Sequence, residues 1–234
     1  MAPAKKFCFP IPAVLESERV KLVPFNLAVH TKLLITSCSD VSLYDFIPIG
    51  PYKDQEEFIA SFRNEKVEDN NGMAMFAVYD KTKIKEEEGY AGLVGYVNSS
   101  AQDLVTEIFV IIAPAFQRTH VTSNAIGILL KYALDLPEDG GLGLRRVVWQ
   151  ASAANTASIR TAERMGFQQE GVLRWHKAWP ESKSRGANGT RVRKGDPRED
   201  VFPLGRDTVV LSICWDDWEG GVRAHVEATM ARTK

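Results

Sequence analysis

The stretch Glu107–Ala125, EIFVIIAPAFQRTHVTSNA, decides which fold this chain can adopt. It begins inside an apolar, β-branched run, Leu104 to Ile112, which is typical of a buried central strand. Pro114 ends that strand, and a turn at Gln117 to Thr122 leads into leucines and isoleucines at helical spacing from Arg118 to Leu136. The first N–H groups of the predicted helix and its positive dipole end form an arrangement that binds phosphate groups.

A second strand and helix repeat this arrangement further along the chain. The segment Arg145–Ala151 (RRVVWQA) is predicted to be another buried strand, and Asn155–Met165 a short helix. Asn155 is a good N-terminal cap for that helix, and Gly166 suits its C-terminal cap. Ser158 follows Asn155 by one turn and is expected to face the same side of the helix start.

The remaining elements alternate between strand and helix patterns. Further strands are predicted over Arg19–Phe25, Met73–Tyr79, Tyr90–Ser99, Gly171–Trp179 and Arg206–Trp215. Further helices are predicted over Asn26–Ser39, Lys53–Lys66 and Asp217–Arg232. We therefore expect an α/β fold with a mixed sheet and helices on both of its faces.

Length and composition suit one globular domain. The chain has 234 residues, of which 44% are apolar and 25% are charged. We expect residues 1–14 to be an N-terminal extension and residues 15–234 to be a single domain with a basic loop inserted at about 180–205. The formal net charge of −1 argues against a globally basic surface that coats nucleic acid.

The cysteines and the hydropathy indicate a cytoplasmic protein. Cys8, Cys38 and Cys214 are odd in number and share no metal-ligand or redox spacing, so neither a disulfide framework nor a metal site is expected. No secretory core is present, and no apolar run approaches membrane-spanning length. We predict no membrane association.

The one shift in composition lies at residues 182–198, SKSRGANGTRVRKGDPR. Six Lys or Arg residues stand there against a single Asp. The pattern predicts a mobile loop between two strands. It also fits a lid or a docking arm for an acidic acceptor such as a protein. Nucleic-acid binding is disfavoured because the stretch contains no aromatic residue that could stack on a base.

The second helix carries a recognisable motif. The pattern N-x-x-S-(x)4-E-K/R-x-G-F-x-x-E-G is matched at Asn155, Ser158, Glu163, Arg164, Gly166, Phe167, Glu170 and Gly171. With the preceding strand, turn and helix, it resembles the GNAT N-acetyltransferase superfamily, and most closely its RimJ/RimL-type branch of ribosomal-protein N-terminal acetyltransferases. The resemblance covers about Leu15 to Trp218. Gln117 fits the family's phosphate pattern Gln/Arg-x-x-Gly-x-Gly/Ala, whereas His120 and Thr122 replace its small residues.

The resemblance implies a mostly antiparallel seven-stranded sheet with a V-shaped splay and acetyl-CoA as the cofactor. The implied cofactor contacts are Phe109, Val110, Ile111, Gln117, Arg118, Thr119, His120, Val121, Thr122, Asn155 and Ser158. The implied reaction is direct attack of a primary amine on the thioester in a ternary complex. The acceptor is either a protein N-terminus or a small amine, such as an amino acid, a polyamine or an antibiotic. A homodimer is compatible with this assignment.

The candidate residues for proton transfer depart from the family's pattern. Many superfamily members carry a tyrosine acid where this chain has Ala162, so Glu107 on the central strand is the candidate base. Its alternative role is an ordinary pairing with a neighbouring donor. Acceptor contacts are expected from Tyr44, Phe46, Tyr52, Trp175 and His176, for which packing is the alternative.

Two rival functions belong to other classes. The replaced small residues and the missing tyrosine fit a catalytically silent protein that binds CoA as a sensor. The basic stretch fits a module that associates with RNA or the ribosome.

Overall fold

The computed structural model describes residues 7–64, 71–85 and 87–232. The strands are β1 Leu15–Glu16, β2 Val20–Pro24, β3 Ala74–Asp80, β4 Tyr90–Ser100, β5 Val105–Ile112, β6 Arg146–Ser152, β7 Gln168–Trp179 and β8 Leu204–Cys214. The α-helices are α1 Leu27–Ser37, α2 Gln55–Asn64, α3 His120–Leu134, α4 Thr156–Arg164, α5 Trp215–Asp217 and α6 Arg223–Ala231. No helix in these described ranges is long and apolar enough to cross a membrane.

The first of two compact units comprises Met1–Ser39, Tyr52–Val147 and Ile213–Lys234. Strands β1 to β5 are antiparallel neighbours in chain order, and β3 with β4 forms the predicted hairpin. Helix α3 packs on this sheet and against α6. The hydroxyl group of Tyr96 on β4 donates a buried hydrogen bond of 2.6 Å to the carbonyl of Leu129, which fixes the helix to the strand.

The second unit comprises Asp40–Pro51 and Val148–Ser212. Its strands follow the order β6, β8, β7, with β7 antiparallel to β8. Helix α4 follows β6. A 3-10 helix at Val41–Tyr44 begins the first segment of the unit.

The structure confirms the mixed α/β fold and changes several details of it. The described residues contain eight strands rather than seven, because the two-residue strand β1 pairs with β2. The basic stretch is not wholly irregular, since a 3-10 helix covers Glu181–Gly186. The last predicted helix is interrupted by a π-helical turn at Trp218–Val222, where Gly221 has a positive φ of 128°. The last residues of the predicted helix Lys53–Lys66 lie outside the described residues, and the expected single domain over 15–234 stays a prediction.

Helix α4 ends as its sequence predicts. Gly166 adopts a left-handed φ of 93°. Its N–H donates to the carbonyl of Glu163, and the N–H of Phe167 donates to the carbonyl of Ala162. These two bonds form a Schellman motif, in which a residue with a Cβ atom would be strained.

Replacing Gly166 by alanine should therefore destabilise the protein. We expect the Gly166→Ala change to lower the free energy of unfolding by about 1 to 2 kcal/mol, because alanine disfavours the left-handed conformation. Urea unfolding followed by circular dichroism measures it. The matched control is Gly171→Ala, since a Cβ atom there meets nothing within 4 Å. Equal stability of the two variants would contradict the prediction.

Candidate functional site

The turn between β5 and α3 is shaped by local contacts. A 3-10 turn at Pro114–Phe116 ends the strand. The side chain of Gln117 donates from Nε2 to the carbonyl of Ile112 at 3.0 Å, which ties the turn to the strand end. Arg118 is exposed and has a left-handed φ of 60°, which is strained for a residue with a side chain.

Helix α3 begins with a capped first turn that directly follows exposed residues. Thr119 is its N-cap: its hydroxyl oxygen accepts from the N–H of Val121 at 3.2 Å and its hydroxyl donates to the carbonyl of Phe116 at 2.6 Å. The first N–H groups of a helix have no partner within the helix, and the threonine takes only one of them. Gln117, Arg118 and Thr119 are exposed, so this turn can receive an anionic group.

His120 turns its side chain toward the end of β3. Its Nε2 atom lies 3.2 Å from Oδ1 of Asp80. The same carboxylate oxygen accepts from the N–H of Thr82 at 2.9 Å and from its hydroxyl at 2.7 Å. Burial raises the pKa of Asp80, but the bonds from Thr82 and the interaction with His120 outweigh that effect, and the pKa falls below its ordinary value. The carboxylate therefore stays ionised and holds the imidazole.

Strand β5 carries the candidate base. Glu107 is half-buried and accepts a hydrogen bond of 2.8 Å from Nδ2 of Asn98 on β4. Two residues further on, Phe109 and Val110 are both half-buried and Ile111 is buried, opposite Gly95, Val94 and Leu93 of β4. Within the first unit the structure therefore places Glu107 on the strand that leads to the capped turn.

The start of α4 in the second unit follows the motif. Oδ1 of Asn155 accepts from the N–H of Ser158 at 3.1 Å, so the predicted N-cap is confirmed. The hydroxyl oxygen of Ser158 accepts from Nε1 of the buried Trp149 at 3.0 Å. Because a hydroxyl group also donates, Ser158 keeps a proton for a further partner.

Trp175 stands on a bulge of β7. The pairing with β8 skips from Leu173 to Lys177, and Trp175 takes a left-handed φ of 53°. The backbone N–H of Trp175 donates to Oδ1 of Asp207 at 2.8 Å. The indole ring of Trp175 covers Gly205, where any Cβ atom would overlap the ring. The side chain is nevertheless 49% exposed, which suits a residue that meets a ligand.

His176 lies in a positive electrostatic environment. Burial, together with the charges of Lys177 and Arg206, lowers its pKa. Its Nδ1 atom is buried and has no hydrogen-bond partner among the described residues. The imidazole is therefore mainly neutral near pH 7.

Of the three predicted acceptor aromatics between α1 and α2, Tyr44 and Phe46 belong to the second unit and Tyr52 to the first. Tyr44 is buried, with its ring against Gly50, and Phe46 lies beneath the Arg185 guanidinium at 5.7 Å. Tyr52 instead packs edge-to-face on Phe58 of α2 at 5.0 Å, within the first unit.

Sequence reasoning missed the residues that hold Phe46 in place. The ammonium group of Lys183 donates to the carbonyls of Ile47 at 2.8 Å and Ile49 at 2.7 Å. Nη1 of Arg206 donates to the carbonyl of Phe46 at 3.3 Å. Lys183 belongs to the stretch predicted to be a mobile loop, and the only local sign of its burial is the neighbouring Trp179.

Burial lowers the pKa of Lys183 from 10.5 to about 8, against the opposing charge of Asp45. Between about pH 8 and pH 10.5 the unfolded chain therefore holds a proton at Lys183 that the folded chain has released. We expect the free energy of unfolding of the wild type, relative to that of Lys183→Met, to rise as the pH increases through this window. Urea unfolding of both proteins at several pH values measures the difference, and a constant difference would contradict the prediction.

The comparisons with known proteins agree with this geometry. The family model "Acetyltransferase (GNAT) domain" matches residues 19–168. A probable GNAT-family acetyltransferase from Chromobacterium violaceum has a similar structure, with a TM-score of 0.71, 26% identity and coverage of 94% of each chain. A GCN5-related N-acetyltransferase from Brucella melitensis has a TM-score of 0.73 and 24% identity, over 95% of this chain and 87% of that one. A search of curated proteins found no significant match.

A more distant structure shows the same fold with ligands. The spermidine N-acetyltransferase from Vibrio cholerae, in complex with CoA and spermine, has a TM-score of 0.61 and 16% identity, over 87% of this chain and 99% of that chain. The family match over residues 19–168 assigns the chain to the acyl-group transferases. The chain belongs to the GNAT acetyltransferase family, whose cofactor is acetyl-CoA.

The exposed cation in the turn offers a test of the cofactor site. We expect Arg118→Glu to raise the dissociation constant of acetyl-CoA at least about tenfold, because it places a negative charge in the turn that is predicted to receive the phosphate groups. Isothermal titration calorimetry measures the constant. Lys32→Glu, which makes the same charge change at an exposed position of α1, is the control. An unchanged constant in Arg118→Glu would refute the assignment.

Proposed function

We propose that this protein is an N-acetyltransferase of the RimJ/RimL type, and that its acceptor is the primary amine at the N-terminus of a peptide or protein. The observation that carries the proposal is the motif of α4, because its cap residue and its Gly-Phe ending both form the structures that the pattern requires. The cofactor supplies an activated acetyl group when it is bound. The residues of the chain bind it, orient the amine and accept a proton.

Backbone groups of the α3 start are proposed to hold the cofactor's phosphates. The exposed turn Gln117–Thr119 and the first N–H groups of α3 are suited to this, and Arg118 adds a positive charge. His120 is proposed to line the phosphate site, with its imidazole held by Asp80. Strand β5 at Phe109 to Ile111, in the same unit, is proposed to supply further contacts to the cofactor.

Charge on the acceptor side favours a peptide over a polyamine. Lys183, Arg185 and Arg206 all contact the segment Asp45–Ile49. The pKa of His176 is lowered mainly by burial, and the charges of Lys177 and Arg206 lower it further. A polyamine carries several positive charges and would be repelled there, whereas a peptide with acidic side chains would be attracted. The spermidine enzyme from Vibrio cholerae shares only the fold, so its substrate does not decide the matter.

Two further properties belong to the proposal. A homodimer is supported by exposed apolar residues on β7, where Val172 is 47% and Leu173 is 45% exposed. A cytoplasmic location is supported by the three free cysteines, Cys8, Cys38 and Cys214.

The release of free thiol from acetyl-CoA tests the proposed reaction. The assay uses a short synthetic peptide with a free N-terminal serine followed by acidic residues, the same peptide with a blocked N-terminus, and spermidine. Thiol release with only the first peptide supports the proposal. Release with spermidine but not with the peptide would assign a small amine as the acceptor. Thermal stabilisation by acetyl-CoA without release from any amine would favour the silent sensor.

Glu107→Gln tests the proposed base. We expect this change to reduce turnover about a hundredfold, because the amide cannot accept the proton from the amine. The dissociation constant of acetyl-CoA should stay close to that of the wild type. Initial rates measured from pH 6 to 9 give the effect, and Glu88→Gln on the exposed loop before β4 is the control. Equal turnover across this range would exclude Glu107 as the base.

A further inference from the structure

No strand in the described ranges pairs with the backbone of the segment Asp45–Ile49, and cationic side chains hold it instead. Its carbonyl groups at Phe46, Ile47 and Ile49 all accept hydrogen bonds from charged side chains. Pro48 removes one backbone donor from the segment. Carbonyl groups that are partly removed from water need partners, and here side chains from distant parts of the sequence supply them.

Lys183 makes the central contacts of this arrangement. The residue is only 7% exposed, and its one ammonium group bridges the carbonyls of Ile47 and Ile49. The backbone carbonyl of Lys183 accepts from Nε1 of the buried Trp179 at 2.8 Å, which fixes the lysine from the other side. A buried ammonium group is costly unless it is bonded in this way, so the contact is specific.

Neighbouring residues close the same arrangement. Arg185 pairs with the carboxylate of Asp45 and lies over the ring of Phe46. Gly186 is buried against the backbone of Asp45, where a Cβ atom would overlap the carbonyl oxygen. Every partner named here belongs to the second unit, so the segment and the 3-10 helix Glu181–Gly186 form one packed assembly.

We propose that Lys183 is a positioning residue for the acceptor: by bridging the carbonyls of Ile47 and Ile49, it holds Phe46 in the orientation that binds the substrate amine. This rests on the proposed function, because it takes Phe46 as an acceptor contact. The basic stretch therefore acts, through Lys183 and Arg185, as an internal brace of the acceptor site.

Two measurements on Lys183→Met test this role. The change keeps the unbranched side chain but removes the charge, leaving two carbonyls without their donor. Hydrogen exchange of residues 41–51, read by mass spectrometry, should become at least about tenfold faster. The KM for the acidic N-terminal peptide should rise about tenfold, while kcat and the dissociation constant of acetyl-CoA change less than about twofold.

Two further variants separate positioning from general stability. Lys194→Met removes an exposed cation from the same stretch and should leave both measurements unchanged. Lys183→Arg keeps a positive charge with several hydrogen-bond donors, so its KM should lie between those of the wild type and Lys183→Met. Faster exchange with an unchanged KM would overturn the proposal, as would unchanged exchange. A loss of kcat and cofactor binding together would indicate a purely structural role and would also overturn it.

The wild type separates failure of this inference from failure of the proposed function. If the wild type acetylates neither the peptide nor spermidine, the proposed function fails and the positioning role fails with it. If the wild type is active and Lys183→Met matches it in KM, only the positioning role fails.

Discussion

The turn between β5 and α3 is the constraint on which the proposed cofactor site depends. Proline cannot donate to a strand ladder, so β5 ends before Pro114, and the hydroxyl group of Thr119 starts the helix a few residues later. Arg118 takes up the strain of this reversal with its left-handed conformation. The helix therefore begins next to the strand end, directly after the exposed residues Gln117–Thr119.

This geometry explains how the turn tolerates residues larger than the family's usual glycines. His120 and Thr122 lie in the first turn of α3, where helical backbone angles do not require glycine. A large side chain fits there if it points away from the first backbone N–H groups of α3. The interaction with the carboxylate of Asp80 orients the imidazole of His120 toward β3. The side chain that weakens the motif in the sequence is thus accommodated by a partner on β3.

The sequence predicted those features that depend on neighbouring residues. The cap at Asn155, the Schellman ending at Gly166 and the β3–β4 hairpin each follow from a local pattern. Partners that are distant in the sequence were not predictable. Nothing near His120 points to Asp80, and nothing in the basic stretch shows that Lys183 bonds to Ile47, 136 residues away. Composition cannot distinguish a solvated lysine from one that satisfies buried carbonyls, because both increase the local charge equally.

The positive charges of the second unit would affect the protonation of the proposed acceptor amine. An amine attacks only in its neutral form, and most primary amines are protonated near pH 7. Lys183, Arg185 and Arg206 all contact the segment that carries Phe46, and Arg185 pairs with the carboxylate of Asp45. A positive field lowers the pKa of an amine that binds beside it. The pKa of His176 is lowered mainly by burial, and the charges of Lys177 and Arg206 add to that effect. The same charges that hold the segment in shape would thus increase the neutral fraction of a bound amine. Near pH 7, an α-amino group, whose pKa already lies near 8, therefore reaches a larger neutral fraction than an amine with a pKa above 10.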